Sequence, residues 1–195
     1  MSARDDILGG VRRALASADT SPVHVPRSYR DAGRPSVELF VERVEDYRAV
    51  VVRCTADDVE ARIADALPAG ARVVVPDELP WQVPGAVPDT GLSSADLDGI
   101  DAVVTGATVG VASTGTIVLS HGAGQGRRAL TLVPDLHVCV VRADQVVADV
   151  PDAVALLDPH RPTTWVSGPS ATSDIELQRV EGVHGPRTLH VIVVD

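Results

Sequence analysis

The chain has 195 residues, 17 basic against 27 acidic side chains for a formal charge of −10, 45% hydrophobic residues and a mean hydropathy of +0.12. That size and apolar content suit one globular domain with a sizeable core, while the acidic balance excludes the basic face that a nucleic-acid partner or an anionic membrane surface would need. All 17 basic residues are Arg, there is no Lys or Asn, and Cys54 and Cys139 stand far apart, which removes a Walker lysine, a Schiff-base lysine, a Cys-ligated iron–sulfur cluster and a cysteine zinc site from this chain.

Ser2-Ala3-Arg4-Asp5 reads as a capping box, and Ile7, Leu8, Val11 and Leu15 follow at helical spacing, which predicts an amphipathic helix over 3–17. This start differs from a signal sequence, and no apolar run approaches the roughly 18 residues of a membrane span, so a cytoplasmic location and no membrane partner are expected. Thr20 to Ser36, broken by Pro22, Pro26, Gly33 and Pro35, reads as a linker. The predicted organisation is therefore an N-terminal helix with a Pro-rich linker over 1–36 and an α/β domain over 37–195.

Helical periodicity resumes from Val37 through Tyr47. Strands are predicted over 49–53, 72–75, 101–104, 115–119, 137–141, 163–166 and 188–194, with helices over 55–67, 152–157 and 173–180. Residues 76–100 read as loops around one short helix, 105–114 as a loop, and 127–132 as one or two helical turns. Short, continuous, Val-rich strands suit a sheet buried on both faces. The fold class expected is an open, mostly parallel α/β sheet with helices on both faces and a separable N-terminal helix. Ligands in such sheets sit beyond the carboxyl ends of the strands, where the loops 105–114, 120–126 and 167–173 are expected to lie.

Three segments carry chemistry-bearing residues. Ser113-Thr114-Gly115-Thr116 sets three hydroxyls around a glycine, and Gly122-Ala123-Gly124-Gln125-Gly126 leads into Arg127-Arg128, whose guanidinium forks match carboxylate and phosphate. One arginine of that pair is expected to be neutralised by an acid such as Asp135. Ser167-Gly168-Pro169-Ser170-Ala171-Thr172-Ser173-Asp174-Ile175-Glu176 leaves a strand and opens a helix. Its hydroxyls either cap that helix or, at its free amides, hold an anion. The glycine spacing at 122–126 departs from the dinucleotide fingerprint, and neither Ser113 nor Ser170 lies in a GxSxG elbow. His137 and Cys139 share a strand face and read as core. His184 with Arg187 sits in a turn before the last strand, His190 suits a partly exposed sheet position, and His24, His121 and His160 fall in loops without a pattern.

The stretches 113–119, 124–135 and 167–176, together with Glu181-Gly182-Val183-His184-Gly185-Pro186-Arg187, resemble the lactate-utilisation protein C family, the LUD domain. Val25 to Arg30 and Glu42 to Arg48 extend the resemblance over nearly the whole chain. It implies a fold similar to the sugar-phosphate isomerase and CoA-transferase superfamily. It also implies an accessory subunit, free of clusters itself, in the oxidation of L-lactate to pyruvate, with iron–sulfur clusters carried by partner proteins. A small anionic ligand is expected at Ser113, Thr114, Gly115, Thr116, Gly124, Gln125, Gly126, Arg127, Arg128, Gly168, Ser170, Thr172, Ser173, Asp174, Glu176, His184 and Arg187, with no metal. Ser113 stands where the family usually has an acid, which weighs against a covalent intermediate at that position. The alternative readings are a stand-alone enzyme acting on a phosphorylated or CoA-linked small molecule, with Asp174, Glu176 and His184 as candidate acid–base groups, and a non-catalytic sensor using the same pocket.

Overall fold

The computed structural model describes residues 2–19, 21–26, 33–169 and 185–195. Two compact units divide the chain, residues 1–30 and 31–195. In the first, α1 (Ala3–Leu15) begins on the expected capping box: Asp5 N donates to Ser2 Oγ at 3.3 Å, and Ser2 N donates to Asp5 Oδ2 at 3.2 Å. No side chain of α1 is buried.

The second unit opens with α2 (Val37–Asp46), capped by Ser36, whose Oγ accepts from Leu39 N at 3.1 Å. There follow β1 (Val50–Cys54), α3 (Val59–Ala66), β2 (Val73–Val75), β3 (Val87–Pro88), α4 (Ser94–Asp98), β4 (Ala102–Gly106), β5 (Val109–Val111), β6 (Thr116–Leu119), β7 (Leu136–Arg142), β8 (Val146–Val147), α5 (Val150–Leu156), β9 (Thr164–Val166) and β10 (Thr188–Val194). A six-stranded sheet runs β1-β10-β7-β4-β2-β3 with every neighbouring pair parallel. Because side chains alternate across a strand, Val138, Val140 and Ile192 pack on one face against Val59 and Ile63 of α3. Cys139, Val141, Val191 and Val193 pack on the other, against Phe40 and Val44 of α2. Val74 and Val103 meet Leu97 of α4. Continuous valine runs are what two covered faces demand, and the α/β sheet flanked by helices is the architecture expected.

A smaller sheet, β8-β5-β6-β9, was not foreseen as separate from the first. Here β6 runs antiparallel to both β5 and β9. Its outer face, Val109, Val111 and Val118, is closed by Ala153 of α5, and its inner face delivers Ile117 to the core shared with Phe40. The loop expected over 105–114 is corrected by β5, a three-residue strand with glycine at its centre. Gly110 is there because the Phe40 ring lies over it: an added Cβ would stand 3.0 Å from Phe40 Cε2. The two-residue strand β8 is too short to leave a periodic signal. The helix expected over 173–180 lies outside the described residues.

Candidate functional site

Strand order positions the crevice. The chain leaving β2 runs outward to the edge strand β3, whereas the chain leaving β4 passes through the small sheet to β7 on the opposite side. Loops that part in this way open a crevice at the carboxyl ends of the two strands, the usual ligand position in open parallel sheets. A cavity of about 340 Å³ lies there, lined by Pro76, Asp77 and Glu78 after β2, Asp89 after β3, and His121, Gly122, Ala123, Gly126 and Arg127 after β6.

The glycine-rich segment forms the wall of this cavity through its own hydrogen bonds. Gly106 N, at the end of β4, donates to Gly124 O at 2.8 Å, and Gly124 N donates to Asp77 O at 2.9 Å. Gln125 Oε1 accepts from Ser120 N at 2.7 Å and from Thr108 Oγ1 at 3.0 Å, which ties the loop back to the end of β4. Gly126, at φ +69°, packs so tightly that an added Cβ would stand 2.6 Å from Leu130 Cδ1 and 2.9 Å from Pro76 Cβ. Glu78 and His121 also take left-handed backbone, at φ +59° and +54°. Such conformations cost of order 1–3 kcal/mol in non-glycine residues and concentrate at functional sites.

His121, which carried no signal in the sequence, reaches Gly126 O through Nδ1 at 2.9 Å and Thr164 Oγ1 through Nε2 at 2.9 Å. A carbonyl only accepts, so Nδ1 carries a proton and donates to Gly126 O. Arg127 is an internal clamp. Its Nε donates to Asp89 Oδ2 at 2.7 Å, one terminal nitrogen donates to Asp89 Oδ1 at 3.0 Å, and the same nitrogen reaches Leu92 O. This fork holds the Asp89 carboxyl below the ordinary aspartate range, with help from Leu92 N and Gly91 N. One arginine of the pair is thus neutralised by an acid, as expected, but that acid is Asp89 and not Asp135, which is met by Arg187 at 3.4 Å because both precede the paired strands β7 and β10. Arg128 is exposed and, among the described residues, makes no ion pair. Beside Gly122, one of the lining residues, the Arg161 guanidinium lies 3.5 Å from where a Cβ on that glycine would stand.

The hydroxyl-rich turn lies elsewhere. Ser113 to Gly115 precede β6, whereas the cavity loop follows it, so four residues of strand, roughly 13 Å, separate them. Thr116 Oγ1 is 2.8 Å from both Thr114 Oγ1 and Ser167 Oγ, and Ser113 Oγ donates to Asp149 Oδ1 at 2.9 Å. Gly115, at φ +60°, sits against the backbone of Arg43 and Val44 in α2, and Gly168 against Tyr47 just beyond it. The reason is directional: β6 and β9 are antiparallel, so the loops leaving them, 120–126 and 167–169, point to opposite ends of the small sheet. Arg187, at the amino end of β10, is on the far edge of the large sheet from the cavity. Ser170, Thr172, Ser173, Asp174, Glu176 and His184 lie outside the described residues. Among the described residues, no group of three or more His, Cys, Asp or Glu side chains is arranged to hold a metal ion, and no helix is long and apolar enough to cross a membrane.

His137 and Cys139 are core residues, as their shared face predicts. His137 Nε2 is 2.8 Å from Thr105 Oγ1, and complete burial lowers its pKa to about 4. The same burial pushes the Cys139 thiol up to about 12.

The fold and crevice define an open parallel α/β protein with its cavity beyond the carboxyl edge of the sheet. The chain belongs to the LUD domain family, whose pattern matches residues 94–194. It is 45% identical to a protein of Deinococcus radiodurans named lactate utilization protein C, over 98% of this chain and 95% of that one. A protein of the same name from Bacillus pumilus is 36% identical over 44% of this chain and 39% of its own length. The crystal structure of a DUF162 family protein from Deinococcus radiodurans superposes with a TM-score of 0.70 and 42% identity, covering 81% of this chain and 95% of that one.

Proposed function

We propose that this chain serves lactate utilisation as an accessory subunit of an L-lactate-oxidising assembly whose iron–sulfur clusters reside in partner proteins. The observation that carries the reading is the 45% identity, over nearly the full length of both chains, to a protein named lactate utilization protein C. The distribution of cysteines supports it, since Cys54 and Cys139 are buried in separate clusters of the core and offer no ligand set for a cluster. The ligand is a small carboxylate entering the crevice between the β2 and β4 loops. Arg127 is committed to Asp89, so the guanidinium that meets the anion is that of Arg161 beside Gly122.

Deletion of the gene tests the role. Growth on L-lactate is lost while growth on glucose is retained, and the tagged chain co-purifies with iron–sulfur proteins. Unimpaired growth on lactate together with no associated iron–sulfur protein would overturn the proposal.

A further inference from the structure

We propose that α1 is a self-pairing surface, through which two copies of this chain associate by laying their α1 helices side by side and antiparallel. The inference does not rest on the lactate reading. Ile7, Val11 and Leu15 recur every four residues and form one stripe, with Leu8 beside it, and these three are 67%, 48% and 59% exposed. No residue of α1 is buried. A 13-residue helix with Gly9 and Gly10 at its centre is marginal in water even with a good cap. Its helicity therefore calls for a cover over the apolar stripe.

The charges identify the cover. Asp5 and Asp6 occupy the first turn and Arg12 and Arg13 the last. Asp5 and Arg12 are seven residues apart, two helical turns, and so lie on the same flank of the stripe. In an antiparallel pair the like flanks of two helices meet, which sets Asp5 beside the partner's Arg12 and Arg12 beside the partner's Asp5. A parallel pair brings the two acidic first turns together at one end and the two arginine-bearing last turns together at the other, with no opposite charge beside either. The pattern is thus self-complementary about a two-fold axis passing between Leu8 and Gly9, the requirement for a closed dimer. Across that axis Ile7, Leu8 and Val11 of each copy form the apolar layers, and Leu15 lies over Ala3 and the aliphatic stem of the partner's Arg4. The antiparallel macrodipoles add to the preference.

Sedimentation of the full chain tests the proposal. A dimer is expected that dissociates on dilution from about 100 µM, and Val11→Asp raises its dissociation constant at least about tenfold. An unchanged thermal midpoint in that variant shows the α/β unit intact. Orientation is read by oxidation: Leu8→Cys, next to the two-fold axis, cross-links to itself, while Leu15→Cys does not. Cys54 and Cys139 are buried and stay silent. A chain monomeric at about 100 µM, a Val11→Asp dimer as tight as the parent, self-cross-linking through Leu15→Cys, or α1 engaging only a different protein would each overturn the proposal.

Discussion

Replacing Gly115 by alanine separates two roles that the sequence leaves mixed: ligand cradle and packing joint. Gly115 holds φ +60°, and a left-handed backbone costs an L-residue roughly 1–2 kcal/mol. Its added Cβ would stand 2.6 Å from Arg43 C, 2.7 Å from Arg43 O and 2.7 Å from Val44 N. These are backbone atoms of α2 and cannot swing aside as a side-chain end can. Overpacking of this kind costs about 1–3 kcal/mol, so the total is about 2–5 kcal/mol. For a chain of this size that lowers the thermal midpoint by roughly 4–20 °C. Gly70→Ala is the matched control: φ is +75° there, but nothing lies within 4 Å of the added Cβ, so only the backbone cost remains. Urea unfolding of both variants, with the slope against denaturant unchanged, measures the difference. If Gly115→Ala costs no more than Gly70→Ala, the packing joint is refuted and the glycine must be explained by something it binds.

Arg127→Ala leaves Asp89, only 9% exposed, without its fork, and costs about 1–2 kcal/mol in urea unfolding. The parent's contribution from this pair is present above the ordinary aspartate pKa of about 3.9 and is lost as pH falls through the lower folded value, so the variant's acid unfolding profile is flatter below about pH 4. His137 acts in a higher window. Its folded pKa is about 4 against an unfolded value of about 6.5, so the unfolded chain binds the extra proton; stability is full above about pH 6.5 and declines towards pH 4 by up to roughly 1.4 kcal/mol per unit. His137→Leu removes that slope in urea midpoints taken at pH 7, 5.5 and 4.5. Cys139 stays unmodified by a thiol reagent at pH 8 in the native protein and reacts on denaturation, because its buried thiol is pushed up to about 12.

Much of the large sheet was legible in the sequence because runs such as 137–141 and 188–194 are continuous valine-rich segments with no other use than burial on two faces. The small sheet was not legible: Val109–Val111 and Val146–Val147 are too short for any period to show, and their pairing is set by contacts distant in sequence. The cavity was half legible. Glycines at 122, 124 and 126 marked a loop of special backbone, but Asp77, Glu78 and Asp89 reach it only because strand order brings β2 and β3 alongside β4. His121 offered no pattern at all, and no property of the residues themselves distinguishes it from His160. The hydroxyls of 113–116 looked like ligand groups because hydroxyl and glycine serve tight turns equally well; antiparallel pairing of β6 with β9 sends them the other way.

The position of β10 bears on how the protein is made. It is the last of the described strands in chain order, yet it stands between β1 and β7, and β1 has no other neighbour in its sheet. During synthesis the first strand therefore waits with both edges unpaired until more than a hundred later residues have left the ribosome. Folding of the α/β unit cannot proceed by adding strands in the order they emerge. It must close a long loop late, which makes it slow and leaves a nascent valine edge for chaperones to shield.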